Sequence, residues 1–305
     1  MRDEEIQQLQ RRIAELKEQH NAVLLVHNYQ IPEVQDIADF MGDSLGLSRR
    51  AAETDADVIV FCGVHFMAET AKLLSPDRTV LIPDKDAGCP MADMVDAQKL
   101  REFRRDYPGV PVVAYVNTSA ETKAEADICC TSANAVEIVN SVNSDEVIFV
   151  PDCHLGSYAQ EHTDKKVILW EGYCPTHVMI SPEAIRDAKA EHPDAKVIVH
   201  GECPKEVRDL ADEVASTGGM VQFAQESDAD EIIVGTEYGM VYRLQKENPD
   251  KTFYALEMAV CRNMKKITLP KVAASLEKMQ YEVEIPQEIA DAARRSVERM
   301  LEHSS

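Results

Sequence analysis

Basic side chains are scarce in this chain of 305 residues. Its 32 lysines and arginines stand against 54 aspartates and glutamates, which gives a formal net charge of −22 at pH 7. This deficit argues against sequence-independent binding to nucleic acid or to an anionic membrane surface, because both attract cationic proteins. An anionic small molecule would need a local binding site.

Long apolar runs are absent as well. No segment approaches the roughly 18 apolar residues of a membrane-spanning helix, and Met1-Arg-Asp-Glu-Glu lacks the pattern of a secretory signal. The eight cysteines follow no short disulfide framework, so we expect thiols or metal ligands in a reducing compartment. With 45% apolar residues, the sequence predicts a globular, cytoplasmic protein of two or three domains with no membrane partner.

Three stretches of the sequence repeat one another position by position. They are numbered from three reference residues at intervals of 88 and 85 residues: His27, Tyr115 and His200. Each is followed by a polar residue at plus two, a glutamate at plus six, Ala-Asp at plus eleven and twelve, and a hydroxyl residue at plus seventeen. The plus-two residues are Tyr29, Asn117 and Glu202, and the hydroxyl residues are Ser44, Ser132 and Thr217. A unit of this length is too large for a solenoid repeat and indicates three small domains.

Helical and strand patterns alternate within each unit. An amphipathic helix is predicted over residues 3–20, and helices near 98–106 and 182–191 hold the equivalent place. The strands that follow (22–26, 110–115, 196–200) and the second apolar runs (57–61, 146–150, 231–235) are apolar throughout. Such strands are typical of parallel sheets with helices on both faces. We therefore predict an α/β fold of three pseudo-threefold-related, three-layer αβα domains with short parallel sheets.

The predicted domains cover residues 1–88, 89–173 and 174–261. Residues 262–305 are predicted to add a helix, a strand near 281–285 and a final helix from Gln287 to the first domain. In open parallel sheets the ligand lies beyond the carboxyl ends of the strands. Three related sheets therefore place the active site at the central axis.

Polar residues gather at these strand ends. A hydroxyl residue in a loop before a helix ordinarily caps that helix. Its threefold recurrence also favours a ligand contact, because helix N-termini bind anions. By contrast, the aspartates at plus twelve (Asp39, Asp127, Asp212) and the glutamates at plus six (Glu33, Glu121, Glu206) are predicted to support the fold.

One cysteine recurs at a matched distance from each reference residue. Cys89, Cys174 and Cys261 lie 62, 59 and 61 positions further on. The other cysteines do not recur and are interpreted as buried thiols: Cys62 within a strand, Cys129 and Cys130 at a helix end, Cys153, and Cys203. Three thiolates at one axis indicate a metal. A structural zinc site would normally show Cys-x-x-Cys pairs and a fourth ligand, which this trio lacks.

An iron–sulfur cluster held by these three cysteines would keep one iron free of a protein ligand. That iron would be a Lewis acid. His177 lies three residues after Cys174 in Cys174-Pro-Thr-His. The spacing leaves open whether it is a fourth ligand or a substrate contact.

Several motifs together are specific enough to indicate a family: His27-Asn-Tyr-Gln-Ile-Pro-Glu, Gly42-Asp-Ser, Cys89-Pro-Met-Ala, Tyr115-Val-Asn, Thr131-Ser-Ala-Asn-Ala, Cys174-Pro-Thr-His, His200-Gly-Glu-Cys-Pro, Ser216-Thr-Gly and Glu257-Met-Ala-Val-Cys261. Through them the chain closely resembles the quinolinate synthase family over nearly its whole length. The resemblance implies three pseudo-threefold domains around a [4Fe–4S] cluster held by the three recurring cysteines. It also implies condensation of iminoaspartate with dihydroxyacetone phosphate to quinolinate for NAD biosynthesis. L-aspartate oxidase or aspartate dehydrogenase would supply the iminoaspartate.

The resemblance also implies roles for individual residues. The expected substrate-binding set is His27, Ser44, Tyr115, Asn117, Ser132, His200, Glu202 and Thr217. The expected catalytic set is Glu202 as a general base, His27 and Tyr29 as proton-transfer groups for the triose-derived part, and Tyr115. Gly201 stands where the family has proline, a departure that concerns only the stiffness of its loop.

Two other functions stay open from the residues alone. A non-catalytic iron–sulfur sensor or electron carrier would need a fully ligated cluster and no enclosed polar pocket. A hydratase with an open iron would turn over a single hydroxy acid, whereas a synthase needs both of its substrates.

Overall fold

The first helix and strand follow directly from the local sequence. The computed structural model describes residues 1–303, in which helix α1 (Asp3–His20) is the predicted amphipathic helix. Three acidic residues in its first turn complement the helix dipole. Asn21 then takes a left-handed conformation, with φ of 46°, which ends the helix. Strand β1 (Ala22–His27) follows at once and is almost entirely buried.

Three units of the same element order make up most of the fold. The first unit contains β1, α2 (Pro32–Gln35), β2 (Phe40–Gly42), α3 (Ser44–Glu53), β3 (Val58–Cys62), α4 (His65–Leu74) and β4 (Thr79–Leu81). The second contains α5 (Ala97–Arg104), β5 (Val112–Tyr115), α6 (Ala120–Ala124), β6 (Ile128–Cys130), α7 (Ala135–Ser141), β7 (Glu146–Val150), α8 (Cys153–Gln160) and β8 (Lys166–Leu169). The third contains α9 (Pro182–Glu191), β9 (Lys196–Val199), α10 (Lys205–Arg208), β10 (Glu213–Val214), α11 (Thr217–Glu226), β11 (Glu231–Gly235), α12 (Met240–Glu247) and β12 (Thr252–Ala255).

Each unit forms one four-stranded parallel sheet. The strand orders are β2-β1-β3-β4, β6-β5-β7-β8 and β10-β9-β11-β12, so the three sheets have the same topology. This confirms the predicted α/β class with three short parallel sheets. The short edge strands β2, β6 and β10, each of two or three residues, were not predicted from the sequence. Cys129 and Cys130 belong to β6, so their predicted position at a helix end is wrong.

The recurring aspartates at plus twelve hold the edge of each sheet. In all three units the carboxylate accepts a hydrogen bond of 2.8 Å from a backbone N–H of the central strand: Asp39 from Leu24, Asp127 from Val112, and Asp212 from Val197. The same strand residue returns its carbonyl to the backbone N–H of the aspartate. The predicted structural role of these residues is confirmed.

Position plus eight is a buried polar residue in every unit and interacts with the preceding unit in cyclic order. Gln35 donates to the carbonyl of Gly239 in the third unit, at 2.9 Å. Arg208 donates to a carbonyl of the second unit at 3.1 Å. Lys123, which is fully buried, interacts electrostatically with Glu69 of the first unit. The units are therefore joined by polar contacts as well as by the apolar core.

The tail after the third unit has two helices, α13 (Leu269–Lys278) and α14 (Gln287–Glu302). Helix α13 packs on α1, whereas α14 packs mainly on α6 and β6 of the second unit and on α4 of the first. The strand predicted near 281–285 is wrong, because Glu282 makes only an isolated antiparallel bridge to Leu81. Tyr281 has a left-handed φ of 64°, and Pro286 lacks a backbone N–H. The domain limits after residues 88, 173 and 261 remain a prediction.

No helix within residues 1–303 is long and apolar enough to cross a bilayer.

Candidate active site

One cavity of about 600 Å³ lies where the three units meet. It is lined by every residue that the sequence predicted for the site: His27, Tyr29, Ser44, Cys89, Tyr115, Asn117, Ser132, Cys174, His200, Glu202, Thr217 and Cys261. Residues of all three units contribute, because the carboxyl ends of the three sheets face the same space. A non-catalytic sensor or electron carrier was expected to have no pocket of this kind.

Glu202 is the most heavily coordinated side chain in this cavity. Its Oε1 accepts a hydrogen bond from the Tyr115 hydroxyl at 2.6 Å, and its Oε2 lies 2.6 Å from Nδ1 of His177. Burial alone would raise the pKa of this carboxyl. The charge interactions with His177 and His200 and the two hydrogen bonds outweigh burial and lower it, so Glu202 is a carboxylate at neutral pH.

His177 is engaged at both ring nitrogens. Nδ1 contacts Glu202 and lies 3.1 Å from Sγ of Cys174, while Nε2 lies 2.8 Å from the Thr236 hydroxyl. Its ring also stacks on His200 at 4.7 Å between centroids. His177 thus contacts Glu202 and also belongs, with Cys174 and Glu202, to a group of three possible metal ligands whose atoms lie within 4.8 Å of one another.

His27 and His200 are held in one tautomer by their own loops. Nδ1 of each accepts a hydrogen bond of 3.2 Å from the backbone N–H two residues on, at Tyr29 and Glu202. Burial lowers the pKa of His27 to about 3 and that of His200 to about 4, so both rings are neutral at pH 7. A neutral ring that accepts at Nδ1 carries its proton on Nε2. Nε2 of His200 accordingly donates to the Ser132 hydroxyl at 3.1 Å.

Tyr29 and Tyr115 stay protonated and are available as proton donors. Burial raises the pKa of both phenols well above its usual value, and the charge of Glu202 adds to the effect. Tyr115 donates to Glu202, whereas the Tyr29 hydroxyl lies 2.6 Å from that of Thr236.

The hydroxyl residues at plus seventeen are not helix caps. The cap positions of α3, α7 and α11 are the neighbouring residues Asp43, Asn134 and Ser216. Asp43 and Ser216 accept the backbone N–H of Gly46 and Gly219, at 2.8 and 3.1 Å. The capping interpretation is therefore wrong, and the hydroxyls of Ser44, Ser132 and Thr217 line the cavity instead.

Asn117 brings an unsatisfied acceptor to the cavity. Its Oδ1 is buried and has no hydrogen-bond partner within the described residues. An orphaned amide oxygen of this kind costs stability unless a ligand or water donates to it.

The three recurring cysteines fit a multi-iron cluster better than a single ion. Their sulfur atoms do not all lie within 4.8 Å of one another, since the only such ligand group among the described residues is Cys174, His177 and Glu202. Three sulfurs around one zinc ion, each about 2.3 Å from it, would lie within about 4.6 Å of each other. In an iron–sulfur cluster each thiolate can bind its own iron.

Burial keeps the three recurring thiols protonated. It raises the pKa of Cys89 to about 12 and also raises that of Cys174 and Cys261. Metal binding to thiolates displaces such protons.

Sequence reasoning missed polar residues that follow the second apolar runs. Thr236 and Glu237 come directly after β11, and both are buried. Glu237 accepts the backbone N–H of Cys261 at 3.0 Å and forms an ion pair of 2.9 Å with Lys265. Asp152 holds the equivalent place after β7 and is fully buried. Applying the strand-end argument to the second run as well as the first would have found them.

These features define an α/β protein in which three repeated units share one ligand cavity with a thiol-lined metal-binding face. A family model described as quinolinate synthetase A protein matches residues 11–302. Quinolinate synthase of Dehalococcoides mccartyi strain CBDB1 is 60% identical over 291 residues, which are 95% of this chain and 96% of that protein.

Two further relatives come from other lineages. Quinolinate synthase 1 of Methanosarcina acetivorans is 56% identical over 292 residues, 95% of this chain and 96% of that protein. Quinolinate synthase of Thermodesulfovibrio yellowstonii is 55% identical over 291 residues, with the same coverage of 95% and 96%. The chain belongs to the quinolinate synthase family and is an enzyme.

Proposed function

We propose that this enzyme condenses iminoaspartate with dihydroxyacetone phosphate to quinolinate, with release of phosphate and two molecules of water. The observation that carries the proposal is the grouping of Glu202, Tyr115 and His177 beside the three cysteines in one cavity. The reaction needs protons removed and returned at several positions, and in this group a carboxylate contacts both a phenol and an imidazole. The product would enter NAD biosynthesis.

Cys89, Cys174 and Cys261 would hold a [4Fe–4S] cluster. When bound, the cluster would supply a Lewis acid at the iron that has no protein ligand. The position of all three thiols on the wall of one cavity and the separation of their sulfurs support this ligand set. His177 is tied to Glu202 and Thr236, which supports a fourth iron open to substrate.

Glu202 acts as the general base in this proposal. It is ionised, and Tyr115 and His177 fix the position of both of its oxygens. His27 and Tyr29 act on the triose-derived part, His27 as a neutral imidazole with a proton on Nε2 and Tyr29 as a protonated phenol. Ser44, Asn117, Ser132, His200 and Thr217 bind the carboxylate and phosphate groups.

The free thiols of all eight cysteines support a reducing compartment, and we place the enzyme in the cytoplasm. L-aspartate oxidase or aspartate dehydrogenase would supply iminoaspartate there.

Anaerobic turnover tests the proposal. The enzyme is purified without oxygen, mixed with dihydroxyacetone phosphate and with iminoaspartate generated in place, and quinolinate is detected by mass spectrometry. Both substrates are expected to be required. Turnover of one hydroxy acid alone, without quinolinate, would instead identify a hydratase.

A cysteine series is the matched control for the metal centre. Serine at Cys89, Cys174 or Cys261 is expected to abolish the visible absorbance of the cluster together with quinolinate formation. Serine at Cys62, Cys129, Cys130 or Cys153 is expected to spare both, apart from packing losses. A cluster that survives loss of any one of the first three would contradict the ligand set.

A further inference from the structure

The residue directly after each reference residue faces the plus-seventeen hydroxyl of the preceding unit in cyclic order. Asn28 lies against Thr217, Val116 lines a small cavity with Ser44, and Gly201 lines a cavity with Ser132. Of these three side chains only that of Asn28 can form a hydrogen bond. At this position the interface between the third and first units therefore has a side-chain hydrogen bond that the equivalent residues of its two counterparts cannot form.

Asn28 is fully buried and is bonded on both sides of its amide. Nη1 of Arg243 donates to its Oδ1 at 2.5 Å, and its Nδ2 donates to Oγ1 of Thr217 at 2.8 Å. Arginine has only donors, so the amide oxygen must face Arg243 and the amide nitrogen must face Thr217. The orientation of Asn28 is thus set by Arg243.

The direction of these bonds decides what Thr217 can do. A hydroxyl has one proton, and the Thr217 oxygen already accepts from Asn28. Its own proton is therefore directed away from Asn28, and Thr217 lines the cavity. A hydroxyl whose proton is turned towards the cavity suits a carboxylate or phosphate oxygen, which only accepts.

Arg243 is itself held in place. On α12 its Nε donates to Glu247 one turn later at 2.8 Å, and its Nη1 also reaches the carbonyl of Met41 at 3.3 Å. Its side chain is only 15% exposed. The guanidinium is thus a fixed donor from the third unit to the first.

A second, separate series of hydrogen bonds ends at the hydroxyl of Ser132. The His200 ring, with its proton on Nε2, donates to the Ser132 oxygen, which frees the Ser132 proton for the cavity. Two of the three plus-seventeen hydroxyls are therefore polarised as donors by different means.

We propose that Arg243 and Asn28 are positioning residues, which fix the Thr217 hydroxyl as a hydrogen-bond donor to an anionic oxygen of the bound substrate or product. The inference rests on the proposed function for the identity of the ligand, a pyridine dicarboxylate or its precursors. The relay from Arg243 through Asn28 to Thr217 is a property of the protein alone and is tested without that ligand as well.

A double-mutant cycle measures the relay. Affinity for quinolinate is determined by calorimetry on the cluster-loaded enzyme and on its Asn28→Ala, Arg243→Met and Thr217→Ala variants. Each change is expected to weaken binding about tenfold, the scale of one hydrogen bond to a charged group. In the Thr217→Ala background, Asn28→Ala and Arg243→Met are expected to change the affinity less than about twofold, because their effect passes through Thr217.

Two further variants test whether the loss of quinolinate affinity comes from the positioning of Thr217, from packing or from charge. Val116→Ala removes the equivalent side chain of the second unit and is expected to leave quinolinate affinity within about twofold, since Val116 directs no hydroxyl. Arg243→Lys keeps a donor and a charge and is expected to restore part of the affinity lost in Arg243→Met. Multiplicative losses in the cycle would overturn the relay and would show that Asn28 and Arg243 act on the ligand by other means.

Urea unfolding of the ligand-free protein distinguishes failure of the relay from failure of the proposed function. Asn28→Ala and Thr217→Ala are expected to destabilise the protein non-additively, because they remove the same hydrogen bond. Additive losses would overturn the relay even if quinolinate binds. If the two variants destabilise the protein non-additively but the wild-type protein binds no quinolinate, the relay is supported and the proposed function is contradicted.

Discussion

A single carboxylate, Glu202, combines two properties that seldom occur together. It is buried, which disfavours its charge, yet it is ionised because a phenol and two imidazoles surround it. Glu202 is therefore ready to accept a proton at neutral pH, but the contacts that lower its pKa also weaken it as a base.

Substitution of Glu202 by glutamine tests that role. Glu202→Gln keeps the shape but removes the base, so kcat for quinolinate is expected to fall about 10²-fold or more, the usual worth of general base catalysis. Steady-state kinetics measure the loss, and the cluster absorbance should be unchanged. Glu206→Gln, on the exposed first turn of α10, is the matched control and should leave kcat unaltered. Near wild-type turnover of Glu202→Gln would remove this residue from the chemistry.

Single residues were predictable where they recur and less so where they do not. The plus-twelve aspartates and the recurring cysteines were found because three copies of one pattern outweigh chance. Thr236 and Lys265 lack counterparts of the same type in the other units, and Glu237 has one only in Asp152 of the second unit, so the threefold pattern did not reveal them. Their contacts with Cys261 and Tyr29 depend on the folded loops.

At the scale of helices, capping and ligand binding are assigned to adjacent residues. The cap of α11 is Ser216, while Thr217 is the first helical residue and faces the cavity. The N-terminal turn is therefore satisfied by one side chain, and the next one is free for a ligand.

A pair of substitutions on α11 separates the two roles. Ser216→Ala is expected to lower the free energy of unfolding by about 1 kcal/mol, as the loss of a cap does, with little change in the Michaelis constants. Thr217→Ala is expected to raise a Michaelis constant with a smaller loss of stability. Ser44→Ala and Ser132→Ala should raise the Michaelis constants to different degrees, since a ligand without threefold symmetry contacts the three hydroxyls unequally. Equal stability losses with unchanged kinetics in all three would contradict the proposed ligand contacts.

The edge strands are too short to be predicted from the periodicity of the sequence. Strands β2, β6 and β10 are two or three residues long, and β2 and β10 have no fully buried residue. Periodicity needs a longer window than this. Their pairing is set by the central strand beside them, which is a tertiary effect.

For the molecule as a whole, the charged pair between the first and second units is a point of vulnerability. Lys123 is fully buried and Glu69 nearly so, and the backbone N–H of Ala120 donates to Glu69 at 3.2 Å. Burial raises the pKa of Glu69 and lowers that of Lys123, and each opposes the other's shift by its charge. The Lys123 ammonium also donates to the carbonyl of Thr118, and Glu69 lies 3.8 Å from Nδ1 of His65. Removing the lysine would take away part of the compensation for the buried carboxylate.

Lys123→Met is therefore expected to cost about 1–3 kcal/mol in the free energy of unfolding near neutral pH, the scale for a buried polar group that loses a partner. Without the lysine the pKa of Glu69 rises further. A carboxyl whose folded pKa exceeds its unfolded value loses stabilising effect as pH rises, so the deficit should be larger at pH 8 than at pH 5.5. Urea unfolding at both values measures it. Lys123→Met combined with Glu69→Gln should recover much of the loss, and a deficit independent of pH would contradict the ion-pair account.

The three-unit architecture was predictable because the repeat set both the number of sheets and their common axis. The position of the tail was harder to predict from the sequence. Helix α14 bridges the first and second units, and its contacts depend on surfaces that exist only after those units have assembled. The arrangement of the tail thus depends on the whole chain, and no local sequence pattern predicts it.

Covalent continuity between the units has a consequence for the chemistry of the cavity. In a homotrimer of one such unit, every residue near the axis would occur three times. Three thiols suit a metal cluster. Three copies of Glu202, however, would place three buried negative charges close together without opposite charges to compensate for them. A single polypeptide keeps the cysteines alike while the plus-two position differs as Tyr29, Asn117 and Glu202. The asymmetry that distinguishes one substrate end from the other is thus available only because the three copies are one molecule.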